Sequence, residues 1–142
     1  MKDPTSELRK AYRTALNGNL DNLAGGDVPV YDLPPENAAY PFVRFGNITI
    51  VDDSNFTEYG SIMTMGIEVV NKFAGGTGNR RENEYISDQI MHLIRTRTSM
   101  AMTGFYIITT TVDMATDLDE AIPGGKLQRR IITFRHHIGE ES

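Results

Sequence analysis

Cysteine is missing from the sequence altogether. That single absence excludes a disulfide framework, a thiolate zinc site, an iron–sulfur cluster and a cysteine nucleophile. Long apolar runs are missing too. None approaches the roughly 20 residues a membrane-crossing helix needs, so no membrane partner is expected. The start, Met1-Lys2-Asp3-Pro4, has no apolar stretch behind its lysine, which predicts no secretory signal and synthesis in the cytoplasm. Nor is there an excess of positive charge: the formal net charge is −5. A domain built to grip nucleic acid carries a basic footprint, whereas a mildly acidic surface suits a protein that DNA slides past.

What is present is ordinary for a folded domain. At 142 residues, 39% hydrophobic and 23% charged, the chain can bury one core without staples and predicts a single domain over 1–142. A first helix is predicted from Asp3 as N-cap and Pro4 at the first helical position. Leu8, Ala11, Tyr12, Ala15 and Leu16 make its apolar stripe, and Asn17-Gly18-Asn19 ends it. Residues 28–33 read as an edge strand because of Pro29. Residues 42–51 and 59–73 read as strands, the first with a bulge or close backbone approach at Gly46. In the second, Met63, Met65, Ile67 and Val69 alternate with polar residues. A second helix is predicted over 79–97, opened by an Asn79/Glu82 capping box and carrying Ile86, Ile90, Leu93 and Ile94 on its core stripe. Arg95 and Arg97 fall in its last turn. Strands over 105–114, alternating through Tyr106, Ile108, Thr110 and Val112, and over 127–138 close the chain. A polar loop over 115–126 lies between them, and 139–142 read as a frayed tail. The order predicts an α+β fold: a mostly antiparallel, four- to five-stranded sheet with two helices packed on one face.

The chemical motifs are thin. Gly75-Gly76-Thr77-Gly78 joins a strand to a helix start, where anions can be held. It lacks the Gly-Lys-Ser/Thr ending of a P-loop and the spacing of a dinucleotide fingerprint, so it reads as a linker with a capped helix. Arg80 and Arg81 beside it could meet an acidic partner or a phosphate. His136-His137 sit next to each other on a strand and so point to opposite faces, which prevents chelation of one ion. The third histidine, His92, lies on the second helix. Asp117, Asp119 and Glu120 cluster without the glycine and terminal glutamate of a calcium loop. Ser6, Ser54, Ser61, Ser87 and Ser99 have no nucleophile-elbow surroundings. No catalytic residue, metal or cofactor is expected, and the methionines read as core filling or an adaptable surface.

One stretch is motif-like. Val30-Tyr31-Asp32-Leu33-Pro34-Pro35 leads to Tyr40-Pro41-Phe42-Val43-Arg44-Phe45-Gly46 and into the first core strand, after the helix Leu8 to Leu16. In this stretch and in the order of its elements the chain resembles the bacteriophage tail-completion family, also called tail-terminator or head–tail joining proteins. It departs at its second strand, where the family usually shows a clearer aromatic or tryptophan. Here Ile62-Met63-Thr64-Met65 stands, and the chain has no tryptophan. The resemblance implies a structural virion protein with no active site. Its subunits would form a ring at the head–tail junction that caps the tail tube and joins it to the head connector. A hexamer is implied, or a twelve-fold ring if the subunit is a connector adaptor. The implied partners are other copies of the chain, the tail tube protein, a head connector or adaptor, and DNA in transit. Tyr31, Asp32, Pro34, Tyr40, Pro41 and Phe42 would be structural. Loops at 18–40, 52–58, 74–79 and 115–126 would reach neighbours or the lumen. The candidate interface residues are Gly75, Gly76, Asn79, Arg80 and Arg81, together with Asp117, Asp119, Glu120 and Lys126. A rival reading is a small anion- or nucleotide-binding domain built on residues 75–79.

Overall fold

The structure is a computed structural model describing residues 1–95 and 100–141; Arg97, Ser99 and Ser142 lie outside them. Helix α1, Thr5–Leu16, buries Leu8, Ala11, Tyr12, Ala15 and Leu16, the stripe its spacing predicts. It starts one residue later than expected. Pro4 takes the cap position without a side-chain bond. Asp3 instead closes a local turn, accepting the Thr5 N–H at 2.9 Å and the Thr5 hydroxyl at 2.6 Å. Those bonds hold its carboxyl below the usual carboxylate range. Gly18, at φ +79°, turns the chain away after Asn17.

The strands are β1 (Val30–Tyr31), β2 (Phe42–Asp52) and β3 (Gly60–Ala74), followed by α2 (Arg81–Arg95), β4 (Phe105–Ile122) and β5 (Gly125–Glu140). They form one sheet in the order β1-β2-β3-β5-β4. Only the β1–β2 pair is parallel. Period-2 alternation puts Met63, Met65, Ile67 and Val69 of β3 on one face with Ile132, Phe134 and Ile138 of β5, all essentially inaccessible. Ile86, Ile90 and Ile94 of α2 pack on that face beside α1. Each such side chain contributes about 1.5–3 kcal/mol of transfer free energy, so this face holds the core. No helix among the described residues covers the other face. The fold is α+β, with a mostly antiparallel five-stranded sheet and both helices on one side.

Gly46 is where the sequence predicts a bulge. The β2–β3 register shifts between Phe45 and Ile48, and a methyl group at Gly46 would press within 3.2 Å of the Gly66 carbonyl oxygen.

Four expectations are corrected. The polar stretch 115–126 is not a loop: β4 runs through it to Ile122 and turns at Pro123-Gly124 straight into β5. Proline first and a glycine at φ +80° second suit a type II turn. The acids look like loop residues in sequence because their partners, the arginines of β5, lie across the hairpin. The alternation expected in β4 also breaks, because register shifts at Ile107/Thr109 and Val112/Met114 leave Ile108 exposed while Ile107, Val112 and Ala115 pack on the core. The end of the chain is not frayed through 141. Gly139 and Glu140 belong to β5, Glu140 N–H donates to the Tyr59 carbonyl at 3.0 Å, and Glu141 N–H donates to the Gly104 carbonyl at 2.9 Å. Finally, α2 has no capping box. Asn79 Oδ1 accepts the Arg81 N–H at 3.0 Å, but Glu82 turns the other way, accepting from Asn71 Nδ2 at 3.1 Å and from the Leu23 N–H at 3.3 Å. It thereby ties α2 to β3 and to the loop after α1.

Candidate assembly surfaces

The nine candidate interface residues converge on one end of the sheet, where the β3–α2 loop meets the tip of the β4–β5 hairpin. Gly75 N–H donates to the Gly124 carbonyl at 3.1 Å. Gly75, Gly76, Gly125 and Lys126 line a shallow hollow of about 500 Å³ between them. Asn79 is spent on capping α2, and Arg81 is exposed. Arg80 reaches across to the hairpin, with Nη2 2.8 Å from Asp119 Oδ2 and Nε 3.7 Å from Asp117 Oδ2. Arg130 Nη1 meets the same Asp117 oxygen at 3.4 Å, and Arg129 Nη2 lies 3.2 Å from Glu120 Oε2. A lone exposed pair is worth at most about 1 kcal/mol, but Asp117, shared by Arg80 and Arg130, and Arg80, bridging Asp117 and Asp119, make a small network that ties the hairpin to the start of α2. An anion entering the glycine loop would have to displace two carboxylates from Arg80.

The motif-like stretch forms a lock at the opposite edge of the sheet. The Tyr40–Pro41 peptide is cis. The Phe42 ring sits 5.9 Å from that of Tyr31 and 5.3 Å from that of Tyr40, centroid to centroid. Val43 N–H donates to the Pro29 carbonyl at 2.9 Å, continuing the β1–β2 pairing. Asp32 takes the Arg13 guanidinium in a short ion pair and lies 3.7 Å from Arg9 Nε. The two arginines on the exposed side of α1 thus clamp the helix to the β1 edge. Pro34 and Pro35 follow this anchor, and Ala38 N–H closes a turn on the Pro35 carbonyl at 3.1 Å.

One feature of the interior is only half legible in the sequence. His136 is wholly buried, and its Nε2 makes a short hydrogen bond with the Tyr12 hydroxyl. Its Nδ1 lies 3.0 Å from Thr110 Oγ1. A neutral ring carries one proton, so a phenol donating to Nε2 leaves Nδ1–H to donate to the threonine. Burial pushes the imidazole pKa down to about 4 and the Tyr12 phenol well above its ordinary value. A polar chain therefore pins α1, β4 and β5 at the centre of the core. Alternation alone puts position 136 on the core face, but nothing local reveals Tyr12 as its partner. His137 points to the open face, as the strand period requires, with Nε2 2.9 Å from Asp53 Oδ2. The arrangement throughout is one of side-chain clamps that tie one element to another.

Among curated proteins, none matches this chain. Among solved structures, a chain of "Virion of native gene transfer agent (GTA) particle" superposes with a TM-score of 0.76 over 98% of this chain and 99% of that one, at 18% identity. At that identity the likeness is one of fold. The family described as "Tail completion protein gp17" matches residues 6–139. Spanning nearly the whole chain, that match establishes that the protein belongs to the tail completion protein gp17 family and is a phage tail-completion structural component of the virion.

Proposed function

We propose that the chain forms a closed ring at the head–tail junction, where it caps the tail tube, ends its growth and joins it to the head connector. The observation that carries this reading is the family match over residues 6–139. The fold likeness to a chain from a gene transfer agent virion supports a place in a particle. The architecture suits such a role. One sheet, bound to two helices on one face, is a stiff frame that leaves its other face and its two ends for neighbours. The role needs no catalysis and no cofactor. Partners are other copies of the chain in a six-fold ring, the tail tube protein and the head connector, with DNA passing through. The single domain works as one body. The residues gathered at the hairpin end, Arg80, Arg81, Asp117, Asp119, Glu120 and Lys126 with the Gly75-Gly76 loop, present one assembly surface. Tyr31, Asp32, Pro34, Tyr40, Pro41 and Phe42 keep α1 in register with the sheet edge. A phage deleted for this gene should accumulate DNA-filled heads beside unattached or overlong tails, seen by negative-stain microscopy of lysates, with plaques restored by the gene in trans. Normal virions from the deletion strain would refute the role.

A further inference from the structure

Both edges of the sheet are open at the same level. β4 forms one edge and pairs only with β5. At the other side β1 covers β2 only at Val43 and Arg44, so the later part of β2 is itself an edge. The register lines these two edges up. Ile48 pairs with Met65, Met65 with Phe134, and Phe134 with Val112. Three residues on, Val51 leads through Ile62 and His137 to Thr109. Residues 48–51 and 109–112 therefore stand at opposite ends of the same rows across the sheet. Among the described residues, no backbone hydrogen bond reaches the outer side of either run.

An open edge is a template for another strand, and folded proteins blunt it with proline, charge or cover. The remainder of both edges is guarded in this way. The start of β2 lies under β1, which is flanked by Pro29 and Pro34. β4 carries Asp113 at its second register shift, then Asp117, Asp119 and Glu120 beyond it. The two runs that share a level have no such guard. Ile48-Thr49-Ile50-Val51 and Thr109-Thr110-Thr111-Val112 contain no charge and no proline, and every residue in them is β-branched. Such residues favour a paired, pleated strand. Val51 nevertheless stands 61% exposed.

Strand direction decides what can cover them. From β2 through β3 and β5 to β4 every pair is antiparallel, so β4 runs opposite to β2. Copies set side by side in one orientation bring β4 of one against β2 of the next as a further antiparallel pair. We propose that residues 109–112 of one copy pair with residues 48–51 of the next, joining the sheets edge to edge around the ring. Level pairing also keeps the faces continuous. Ile48 and Val112 both pack towards the core, while Val51 and Thr109 share the open face. A strand from a different protein would cover one edge and leave the other bare, whereas a second copy covers both with one kind of contact. The two edges are different surfaces, so the contact is heterologous and closes into a ring when its rotation permits. The inference rests on the ring reading above and names its subunit contact.

The chain has no cysteine, so Val51→Cys and Thr109→Cys, both at exposed positions, introduce the only thiols. Within one copy they are three strand spacings apart, about 14 Å. Across the contact their Cβ atoms come within about 4.5–8 Å, whether directly opposite or diagonal. Purified virions carrying the double variant are treated with a short, flexible bis-maleimide. The contact predicts loss of most of the monomer band to a ladder of dimers and larger species. Each single variant should stay monomeric, and so should Val51→Cys combined with Leu118→Cys, whose thiol lies roughly 25 Å farther along β4. A dimer from Thr109→Cys alone overturns the contact in favour of a two-fold pair of β4 strands. Monomer alone, in particles that contain the double variant, overturns the edge pairing and leaves the ring reading standing. If the double variant does not enter particles, hydrogen exchange on wild-type virions decides. Peptides spanning 48–51 and 109–112 should then contain amides that exchange about tenfold or more slowly in the virion than in the monomeric chain, and equal rates overturn the pairing. Wild-type particles lacking the chain overturn both readings.

Discussion

Replacing Tyr12 with alanine lowers the free energy of unfolding by about 3–5 kcal/mol, the range for deleting a buried aromatic side chain. Tyr12 is inaccessible and sits edge-on to Phe45, at a centroid distance of 6.4 Å, and tilted against Phe134 at 5.9 Å. Its loss opens a cavity where α1 crosses β2 and β5. Since a domain has only about 5–15 kcal/mol in total, this variant falls close to the unfolding threshold. Tyr12→Phe separates packing from hydrogen bonding. It keeps the ring but leaves Nε2 of His136 buried without its partner, at a cost of about 1–3 kcal/mol. Adding His136→Leu to Tyr12→Phe removes the orphaned group, so the double variant should lose less than the sum of the two single ones. Urea titrations of the purified variants, His136→Leu alone included, measure all four. A neutral Tyr12→Phe would show that the phenol–imidazole bond contributes nothing.

Acid should destabilise the protein by about 3 kcal/mol between pH 6.5 and pH 4, through His136 alone. The sign follows from proton uptake. In the unfolded chain the imidazole titrates at its ordinary 6.5, while burial holds the folded one at about 4. Between those values the unfolded state binds more protons, so stability rises with pH across the window. The contribution is complete above pH 6.5, is lost progressively as pH falls, and levels off below about 4. Tyr12 from α1, Thr110 from β4 and the Phe134 ring face the imidazole, and none of them supplies a carboxylate to hold a charge there. Asp3 and Asp52 act in a different window. Their pKa values are lowered by hydrogen bonds from Thr5 and Ser54, so any effect they have is lost only as pH falls below the ordinary carboxylate value. Urea midpoints at pH 7.5, 6, 5 and 4 should therefore drop for the wild type and stay nearly flat for His136→Leu. A parallel fall in both proteins would assign the acid sensitivity elsewhere.

The parts of this fold that can be read from the chain are those fixed by local periodicity. The stripe Leu8 to Leu16, the alternation Met63 to Val69 and the proline-limited edge strand near Val30 each follow from neighbours within a few residues, and so does the bulge at Gly46. Several of the misreadings share one cause, which is that their partners lie far along the chain. Asp117, Asp119 and Glu120 look like a solvated loop until Arg80, Arg129 and Arg130 are brought beside them. Glu82 looks like a capping residue until Asn71 and Leu23 compete for it. His136 looks like an ordinary strand histidine until the register puts Thr110 opposite it and α1 lays Tyr12 across it. The candidate interface residues are legible as a set because glycine loops and clustered charges stand out in any sequence. Their convergence at one end of the sheet is not legible, since it depends on β4 and β5 running on as a hairpin to Pro123.

The proposed place of the chain in the particle, between tail tube and head connector, is tested most directly by cryo-electron microscopy of the virion neck. A reconstruction should show this fold, five-stranded sheet and two helices, repeated as a closed ring between the last ring of the tail tube and the head connector. Finding the fold along the tail shaft or at the distal tip, or finding the neck built without it, would contradict the account.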